Sequence, residues 1–214
     1  MITYAILILT IGFSVYAMNN SDIKYKYLFH PYSINKYNQH YRFLSHAFLH
    51  GDFLHLAFNM YALWMFGPIV EKQVLPLLSG TFGEPDNRMG MALYILLYTG
   101  SIYASSISEY FKNKNNPNYT SLGASGAVNS LIFCFITCSP RTQLGFFFIP
   151  MPAWLFGVLY LGISYYLSKR NSGSGAVDRI GHEAHFWGAM FGILFTLVLG
   201  LLNQDVFFNL IKQH

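Results

Sequence analysis

A serine and a histidine each lie at the start of an apolar segment of this chain. Ser125 lies between Gly123 and Gly126 before one apolar run, and His185 follows Ala184 at the start of another. Polar side chains are costly inside a bilayer and usually serve a function there. A neutral imidazole facing the serine would take its proton during attack on a carbonyl carbon and return it to the leaving amine. The pair predicts acyl-transfer chemistry, as in a membrane-embedded hydrolase.

Glycines beside both residues would allow a close approach of two helices. Gly123 and Gly126 permit an unusual turn at a helix N-terminus, where unpaired amides stabilise a developing negative charge. Gly188 and Gly192 form a Gly-x-x-x-Gly face after the histidine, which lets that helix pack tightly on a neighbour. If the neighbour carries the serine, the two side chains come within hydrogen-bonding reach. Taken singly, each also has a simpler interpretation, as a helix-capping serine and an interfacial histidine.

A second polar pair lies one helical turn apart at His55 and Asn59. The Asn59 amide would donate to a tetrahedral oxyanion alongside the Ser125 backbone amide, or else bond a neighbouring helix as structural glue. His46 and His50 have the spacing of two metal ligands, which raises a metal site as an alternative. No Cys, Asp or Glu stands at a matching position to complete a tetrahedral site. We therefore predict neither a metal nor a cofactor.

The composition predicts that these residues sit in an integral membrane protein. Of 214 residues, 53% are hydrophobic and 10% are charged, whereas soluble domains have about 25% charged residues. Six apolar stretches approach the roughly 20 residues of a spanning helix. They cover Ile2–Met18, Phe53–Ile69, Met89–Ile107, Leu122–Cys138, Phe146–Leu167 and His185–Leu202. The predicted fold is an all-α, six-transmembrane-helix bundle in which residues 1–214 form a single domain.

Successive spans alternate in direction, so the second, fourth and sixth predicted helices begin on the same side of the membrane. The two polar pairs then fall at similar depth on one face of the bundle, as an acyl-transfer site requires. The loop from Asn19 to Asp52 is long and rich in Tyr and His, which favours a folded or interfacial element over a linker. Cys134 and Cys138 lie one turn apart in an apolar run and suit small core residues. The net charge of +4 is scattered, so we predict no nucleic-acid partner.

One ordered set of residues extends along nearly the whole chain. It comprises Arg42, His46, His50, His55 and Asn59, then Gly123-x-Ser125-Gly126, then Ala184-His185-x-x-Gly188-x-x-x-Gly192. Together these motifs resemble the rhomboid family of intramembrane serine proteases. The resemblance implies a six-helix core without a seventh helix and a Ser125/His185 dyad without a catalytic Asp. It further implies an oxyanion hole formed by His55, Asn59 and the Ser125 amide, with His50, Arg42 and the four motif glycines as supporting residues.

The resemblance also implies substrates and a location. The expected partners are single-span membrane proteins, cut in or beside the membrane after a small residue, together with membrane lipid. Hydrolysis requires a hydrated cavity at the site. The first loop would lie partly in the membrane, and the fifth helix and the loop before His185 would move to admit substrate. We expect the bacterial inner membrane with the site facing the extracytoplasmic side, although the Lys/Arg distribution favours the opposite orientation.

Two positions depart from the family pattern. Rhomboid enzymes usually place an aromatic residue one turn after the serine, where it stacks on the catalytic histidine, but here that residue is Asn129. We expect the Asn129 amide to bond His185 and partly replace this orienting group. In the first loop, Tyr41 precedes Arg42 where the family often has Trp. Two alternatives are a catalytically silent rhomboid-like protein that binds or escorts transmembrane helices, and a transporter or metal-handling protein that uses the histidines.

Overall fold

The computed structural model describes residues 1–80, 85–146, 149–174 and 181–213, and these are mostly helical. The helices are α1 (Ile2–Met18), α2 (Ser21–Tyr27), α3 (Pro31–Tyr37), α4 (Arg42–Ser45), α5 (Phe53–Ile69), α6 (Leu75–Ser79), α7 (Asn87–Asn113), α8 (Ser125–Cys138), α9 (Ala153–Ser174), α10 (His182–Leu202) and α11 (Gln204–Gln213). A 3-10 turn over His46–Phe48 follows α4, and a π-helical turn over Val70–Val74 joins α5 to α6. The strands β1 (Gln143–Phe146) and β2 (Ile149–Pro152) pair in antiparallel fashion before α9.

Short acidic side chains determine where two of the long helices begin. The Asp52 carboxylate accepts the His55 amide at 2.8 Å and starts α5. The Asp86 carboxylate accepts the amides of Arg88 and Met89, both at 3.0 Å, and starts α7. Such caps satisfy first-turn amides that have no partner within the helix. The start of α5, and with it the depth of His55, is therefore set locally.

Three helical segments of the described chain are long and apolar enough to cross a membrane. They are Phe53–Ser79, Asn87–Asn113 and His182–Leu202, while α1 and α8 are apolar but shorter. Their outward faces carry large exposed hydrophobic side chains such as Ile8, Phe58 and Leu201. An apolar surface of this extent is typical of contact with lipid. The chain is a helical membrane protein.

Helix α8 lies at the centre of the bundle and contacts α5, α7, α9 and α10. Nearly its whole surface is covered, and Leu131 and Cys134 are fully buried. Cys138 is likewise buried, in agreement with the expected role of both cysteines as small core residues. The central position of α8 surrounds its first residue, Ser125, with the ends of neighbouring helices.

A buried carboxylate ties α1 to the far end of α5. Glu71 lies in the π-helical turn and accepts the backbone amides of Ile2 at 2.7 Å and Thr3 at 2.9 Å. The Thr3 hydroxyl donates to Glu71 at 2.6 Å and lies 2.8 Å from the hydroxyl of Tyr94 on α7. A carboxylate at a helix N-terminus also interacts favourably with the helix dipole. Glu71 and Thr3 together thus join α1, the turn after α5, and α7 at the end of the bundle away from Ser125.

Two predicted helix boundaries are wrong for identifiable reasons. The fifth helix begins at Ala153 instead of Phe146, because Pro150 and Pro152 disfavour helical geometry in the residues before them and the segment forms β2. The fourth helix begins at Ser125 instead of Leu122, because Gly123 has φ +128°, which is not helical.

Other predicted helices prove longer in the structure. The second continues through the π-helical turn to Ser79, and the third covers Asn87–Asn113. The sixth begins at His182, one turn before its predicted start. Helix α11, in which Phe207 packs against Gly200 of α10, has no counterpart among the predicted helices. The expectation of a folded first loop is confirmed, since α2, α3 and α4 lie within it.

Candidate active site

The starting ends of α5, α8 and α10 line one cavity of about 550 Å³. Its polar lining includes His55, Asn59, Ser125, Asn129 and His185. The structure therefore brings together the serine, the two histidines and Asn59, which the sequence placed on one face, and adds Asn129 to them. They come from three separate helices.

Ser125 is the first residue of α8 and is half-buried. The preceding Gly123 has φ +128°, a conformation that side-chain-bearing residues rarely adopt. A Cβ at Gly123 would lie 3.0 Å from Cε1 of His55, so glycine also allows the loop to pass against that ring. The Gly123 amide donates to the carbonyl of His46 at 3.0 Å. These constraints hold the Ser125 hydroxyl and amide at the cavity, beside His55.

Close glycine contacts bring α10 against α8. A Cβ at Gly188 would lie 2.8 Å from the α-carbon of Gly126, and one at Gly192 would lie 2.8 Å from the α-carbon of Ser130. Both distances are shorter than real side-chain contacts, so only glycine permits this separation. The Gly-x-x-x-Gly face thus packs closely on a neighbour, and that neighbour is the serine helix. His185, in the first turn of α10, reaches the cavity wall as a result.

The start of α10 is also fixed to α7. The Glu183 carboxylate accepts a hydrogen bond from the Ser108 hydroxyl and pairs with the Lys112 ammonium at 2.6 Å. A Cβ at Gly126 would lie 3.5 Å from the carbonyl oxygen of Ala184. Since Gly126 follows Ser125 and Ala184 precedes His185, the backbones that carry the serine and the histidine are close neighbours.

Tyr160 of α9 joins the site although sequence reasoning missed it. Its ring stacks on the imidazole of His185, with centroids 6.4 Å apart and planes 22° apart. Its hydroxyl shares a hydrogen bond with the buried Asn129 side chain. The direct hydrogen bond expected from Asn129 to His185 stays a prediction. In the described residues the two side chains are connected through Tyr160, which bonds Asn129 and stacks on His185. No local signal distinguishes Tyr160 from lipid-facing tyrosines of the same helix, such as Tyr166.

Asn59 and His50 support the wall beside His55. The Asn59 amide donates to the carbonyl of His55 at 3.0 Å, and an amide nitrogen carries a second hydrogen for another acceptor. The His50 ring meets the His55 ring edge-on at 4.9 Å, and its Nδ1 lies 2.9 Å from the Ser14 hydroxyl. Burial, and then the nearby His55, lower the pKa of His50 to about 3. His50 is accordingly a neutral packing partner for His55.

A smaller, more polar cavity of about 190 Å³ adjoins the same serine. Its lining includes Ser105, Ser106 and Glu109 of α7 together with His46 and Ser125. Nε2 of His46 lies 3.0 Å from the Ser106 hydroxyl. These polar groups suit bound water, which requires several hydrogen-bonding partners. Sequence reasoning missed the α7 residues, although Ser105 and Glu109 follow one another at the four-residue spacing of one helix face.

Arg42 lies away from the cavity and organises the first loop. Its buried guanidinium donates to the carbonyls of Tyr25 and Leu28, both at 2.8 Å. The Tyr41 ring packs 5.6 Å from the guanidinium carbon, and the Tyr41 hydroxyl donates to the carbonyl of Lys26. Tyrosine thus anchors the loop where the family often has tryptophan.

The metal alternative gains no support from the described residues, where no group of three or more His, Cys, Asp or Glu side chains is placed to hold an ion. His46 and His50 face different partners, Ser106 and Ser14. The loop expected to move before His185 includes residues 175–180, which lie outside the described residues.

Comparison with known proteins identifies related sequences. The family described as Rhomboid domain matches residues 37–201. RHOMBOID-like protein 12, mitochondrial, of Arabidopsis thaliana is 32% identical over 56% of this chain and 36% of its own length. Rhomboid protein 1, mitochondrial, of Saccharomyces cerevisiae is 28% identical over 71% of this chain and 40% of its own. Rhomboid protease GlpG of Yersinia pestis is 25% identical over 90% of this chain and 60% of its own. The chain therefore spans 36% to 60% of the length of these relatives.

Proposed function

This chain belongs to the rhomboid family, and from that premise we propose that it is an intramembrane serine protease that cleaves transmembrane segments of membrane proteins. The observation that carries the proposal is the single cavity lined by Ser125, His185, His55 and Asn59. A nucleophile, a base and hydrogen-bond donors converging in one cavity are the parts that acyl transfer needs.

The proposed reaction uses Ser125 as nucleophile and His185 as general base, then general acid. The serine oxygen attacks the scissile carbonyl carbon while the imidazole takes the hydroxyl proton. The tetrahedral intermediate collapses, the carbon–nitrogen bond breaks, and the imidazolium gives its proton to the leaving amine. Water, deprotonated by His185, then attacks the acyl-enzyme ester, and the returned proton releases Ser125.

Three hydrogen-bond donors are proposed to stabilise the negative charge of each tetrahedral intermediate. They are the Ser125 backbone amide, the second hydrogen of the Asn59 amide, and the His55 ring. The first is a first-turn amide of α8, which lacks an intrahelical acceptor. The other two line the cavity with Ser125. Donors already aimed at a developing charge need no reorganisation when it forms.

Substrate and water are proposed to reach the serine by different routes. The larger cavity would receive a substrate segment, which must unwind locally because a membrane helix keeps its carbonyls bonded internally. The smaller cavity, lined by Ser105, Ser106 and Glu109, would hold the hydrolytic water. A single membrane domain with all six apolar segments spanning is part of this proposal. A small residue before the cut is carried over from the family.

The identity of the membrane is not part of the proposal. Two of the relatives named above are mitochondrial and one is from Yersinia. The sequence-based expectation of a bacterial inner membrane is thus unsupported. An orientation with the site on the extracytoplasmic side remains an expectation from the family.

Cleavage of a single-span reporter in proteoliposomes tests the proposal, with the full chain, Ser125→Ala and His185→Ala compared and the cut located by mass spectrometry. We expect cleavage by the wild type only, at a bond in or beside the reporter's transmembrane segment. Fluorophosphonate should label wild-type Ser125 and leave Ser125→Ala unlabelled. A folded wild type that neither cleaves nor becomes labelled would overturn the proposal and favour a silent, helix-binding rhomboid-like protein.

A further inference from the structure

The stacked contact between Tyr160 and His185 joins α9 to α10 across the larger cavity. We propose that Tyr160 is a positioning residue for the His185 imidazole and that Asn129 holds Tyr160 in place. The inference rests on the proposed function, because it assigns two further roles at the same site. It adds a group from α9, a helix that carries none of the residues singled out from the sequence.

The geometry of the contact restricts the imidazole. The planes of the two rings are 22° apart and their centroids 6.4 Å apart. Rotation about the bond to an aromatic ring is otherwise broad and roughly two-fold. A nearly parallel ring on one side opposes rotation of His185 out of that plane, and thereby limits the directions in which its nitrogens point.

Tyr160 is itself held from two sides. Its hydroxyl shares a hydrogen bond with Asn129, which is only 5% exposed. Its ring lies 5.8 Å from Phe133 of α8 and 5.8 Å from Phe156 of α9. A ring with neighbours on both helices and a bonded hydroxyl has little freedom, so it can serve as a fixed wall for the histidine.

The connections link the serine helix to the histidine through α9. Asn129 lies one turn after Ser125 on α8, bonds Tyr160 on α9, and Tyr160 stacks on His185 of α10. The contact between Tyr160 and the imidazole therefore depends on α9 being seated against α8. A movement of α9 that opened the cavity would remove this contact.

Substitutions at Tyr160 separate the ring from the hydroxyl. Tyr160→Phe keeps the stack and loses the hydroxyl's bonds to Asn129 and Ser164, whereas Tyr160→Leu loses the stack as well. Tyr166→Leu, at an exposed position of α9, is the matched control. The measurement is kcat and KM for the single-span reporter in proteoliposomes, with the pH profile of kcat.

We expect Tyr160→Leu to lower kcat by about tenfold or more, because small misplacements of a catalytic group have effects of this order. KM should stay within about twofold, and Tyr166→Leu should match the wild type. Tyr160→Phe and Asn129→Ala, which both keep the ring but lose the bond that holds it, should each lower kcat by a smaller factor than Tyr160→Leu. Tyr160→Leu with wild-type kcat, or with a change in KM alone, would overturn the proposal. Should Tyr160→Leu fail to fold, Asn129→Ala tests the proposal in its place. Full kcat in Asn129→Ala would contradict the proposal that Asn129 holds Tyr160 against His185.

A second readout does not depend on catalysis. In a Ser125→Ala background, NMR of labelled histidine follows the His185 ring protons, identified by their loss in His185→Asn. The ring current of Tyr160 should contribute to the shifts of these protons, so Tyr160→Phe should leave the signals nearly unchanged and Tyr160→Leu should move them. Unchanged signals in Tyr160→Leu would overturn the positioning role even in an active protease. A wild type without protease activity whose His185 signals still depend on Tyr160 would overturn only the proposed function.

Discussion

Gly188 of α10 packs so closely on Gly126 of α8 that a Cβ at Gly188 would lie 2.8 Å from the Gly126 α-carbon. Gly126 follows Ser125 directly, and Gly188 lies one turn after His185. The separation of the proposed nucleophile and base is therefore set by contact between two backbones. Neither side chain needs to reach across a wide gap.

Gly188→Ala should push α10 away from α8, because the added methyl group meets backbone atoms that cannot rotate aside. We expect reporter cleavage to fall by about tenfold or more and the thermal midpoint to drop, as overpacking typically costs about 1–3 kcal/mol. Gly12→Ala is the matched control, since nothing lies within 4 Å of a Cβ there. Equal activity and stability in the two variants would show that this contact does not set the site.

Asn59→Ala should impair catalysis without loosening the fold. Removing one donor to an oxyanion typically costs about 100-fold or more in kcat, whereas the only described hydrogen bond lost is to the carbonyl of His55 in its own helix. The comparison is kcat in proteoliposomes for Asn59→Ala and for Asn35→Ala, at an exposed position. Wild-type kcat in Asn59→Ala would remove Asn59 from the oxyanion hole.

His46 should make the protein less stable in mild acid. Burial lowers the pKa of His46 from 6.5 to about 4, so between these values the unfolded chain binds a proton that the folded chain does not. The free energy of unfolding should accordingly be greatest above pH 6.5 and decrease as the pH falls through this interval. Its measurement in detergent between pH 7.5 and pH 4 checks the sign.

The neutral variant His46→Gln should show a weaker dependence on pH, because its amide does not titrate. His50, whose pKa is also lowered by burial, would supply the remaining slope. The exposed His40 provides the control, and His40→Gln should retain the full dependence. An unchanged slope in His46→Gln would contradict a buried, neutral His46.

Glu71→Ala should detach the start of α1 while sparing the site. The substitution leaves the amides of Ile2 and Thr3 without their acceptor, and an unsatisfied buried group typically costs about 1–3 kcal/mol. We expect a lower thermal midpoint, with kcat close to wild type well below it, because Glu71 lies at the opposite end of α5 from His55. Asp22→Ala, at an exposed position, should change neither. A kcat loss without a stability loss would be the contrary result.

The sequence alone determined which residue types meet and roughly where the long helices lie. Apolar runs, the Gly-x-Ser-Gly and Gly-x-x-x-Gly spacings, and the alternation of spans are local patterns, so they predicted the shared face of Ser125, His185, His55 and Asn59. The Gly-x-x-x-Gly spacing likewise predicted that the helix after His185 packs closely on a neighbour. These features depend on the order of residues along the chain.

Only the tertiary structure decided how those residues are supported. Tyr160 stacks on His185 across 25 positions of sequence, and Glu71 bonds Ile2 across 69. Such contacts leave no periodic signal, because each depends on how separate helices are rotated and how deep they sit. The pairing of β1 with β2 before α9 also leaves no periodic signal. Its apolar sequence predicted a helix, but Pro150 and Pro152 disfavour helical geometry there. The spacing of residues along the sequence thus predicted which side chains form the candidate site. Packing between distant segments determines how those side chains are oriented.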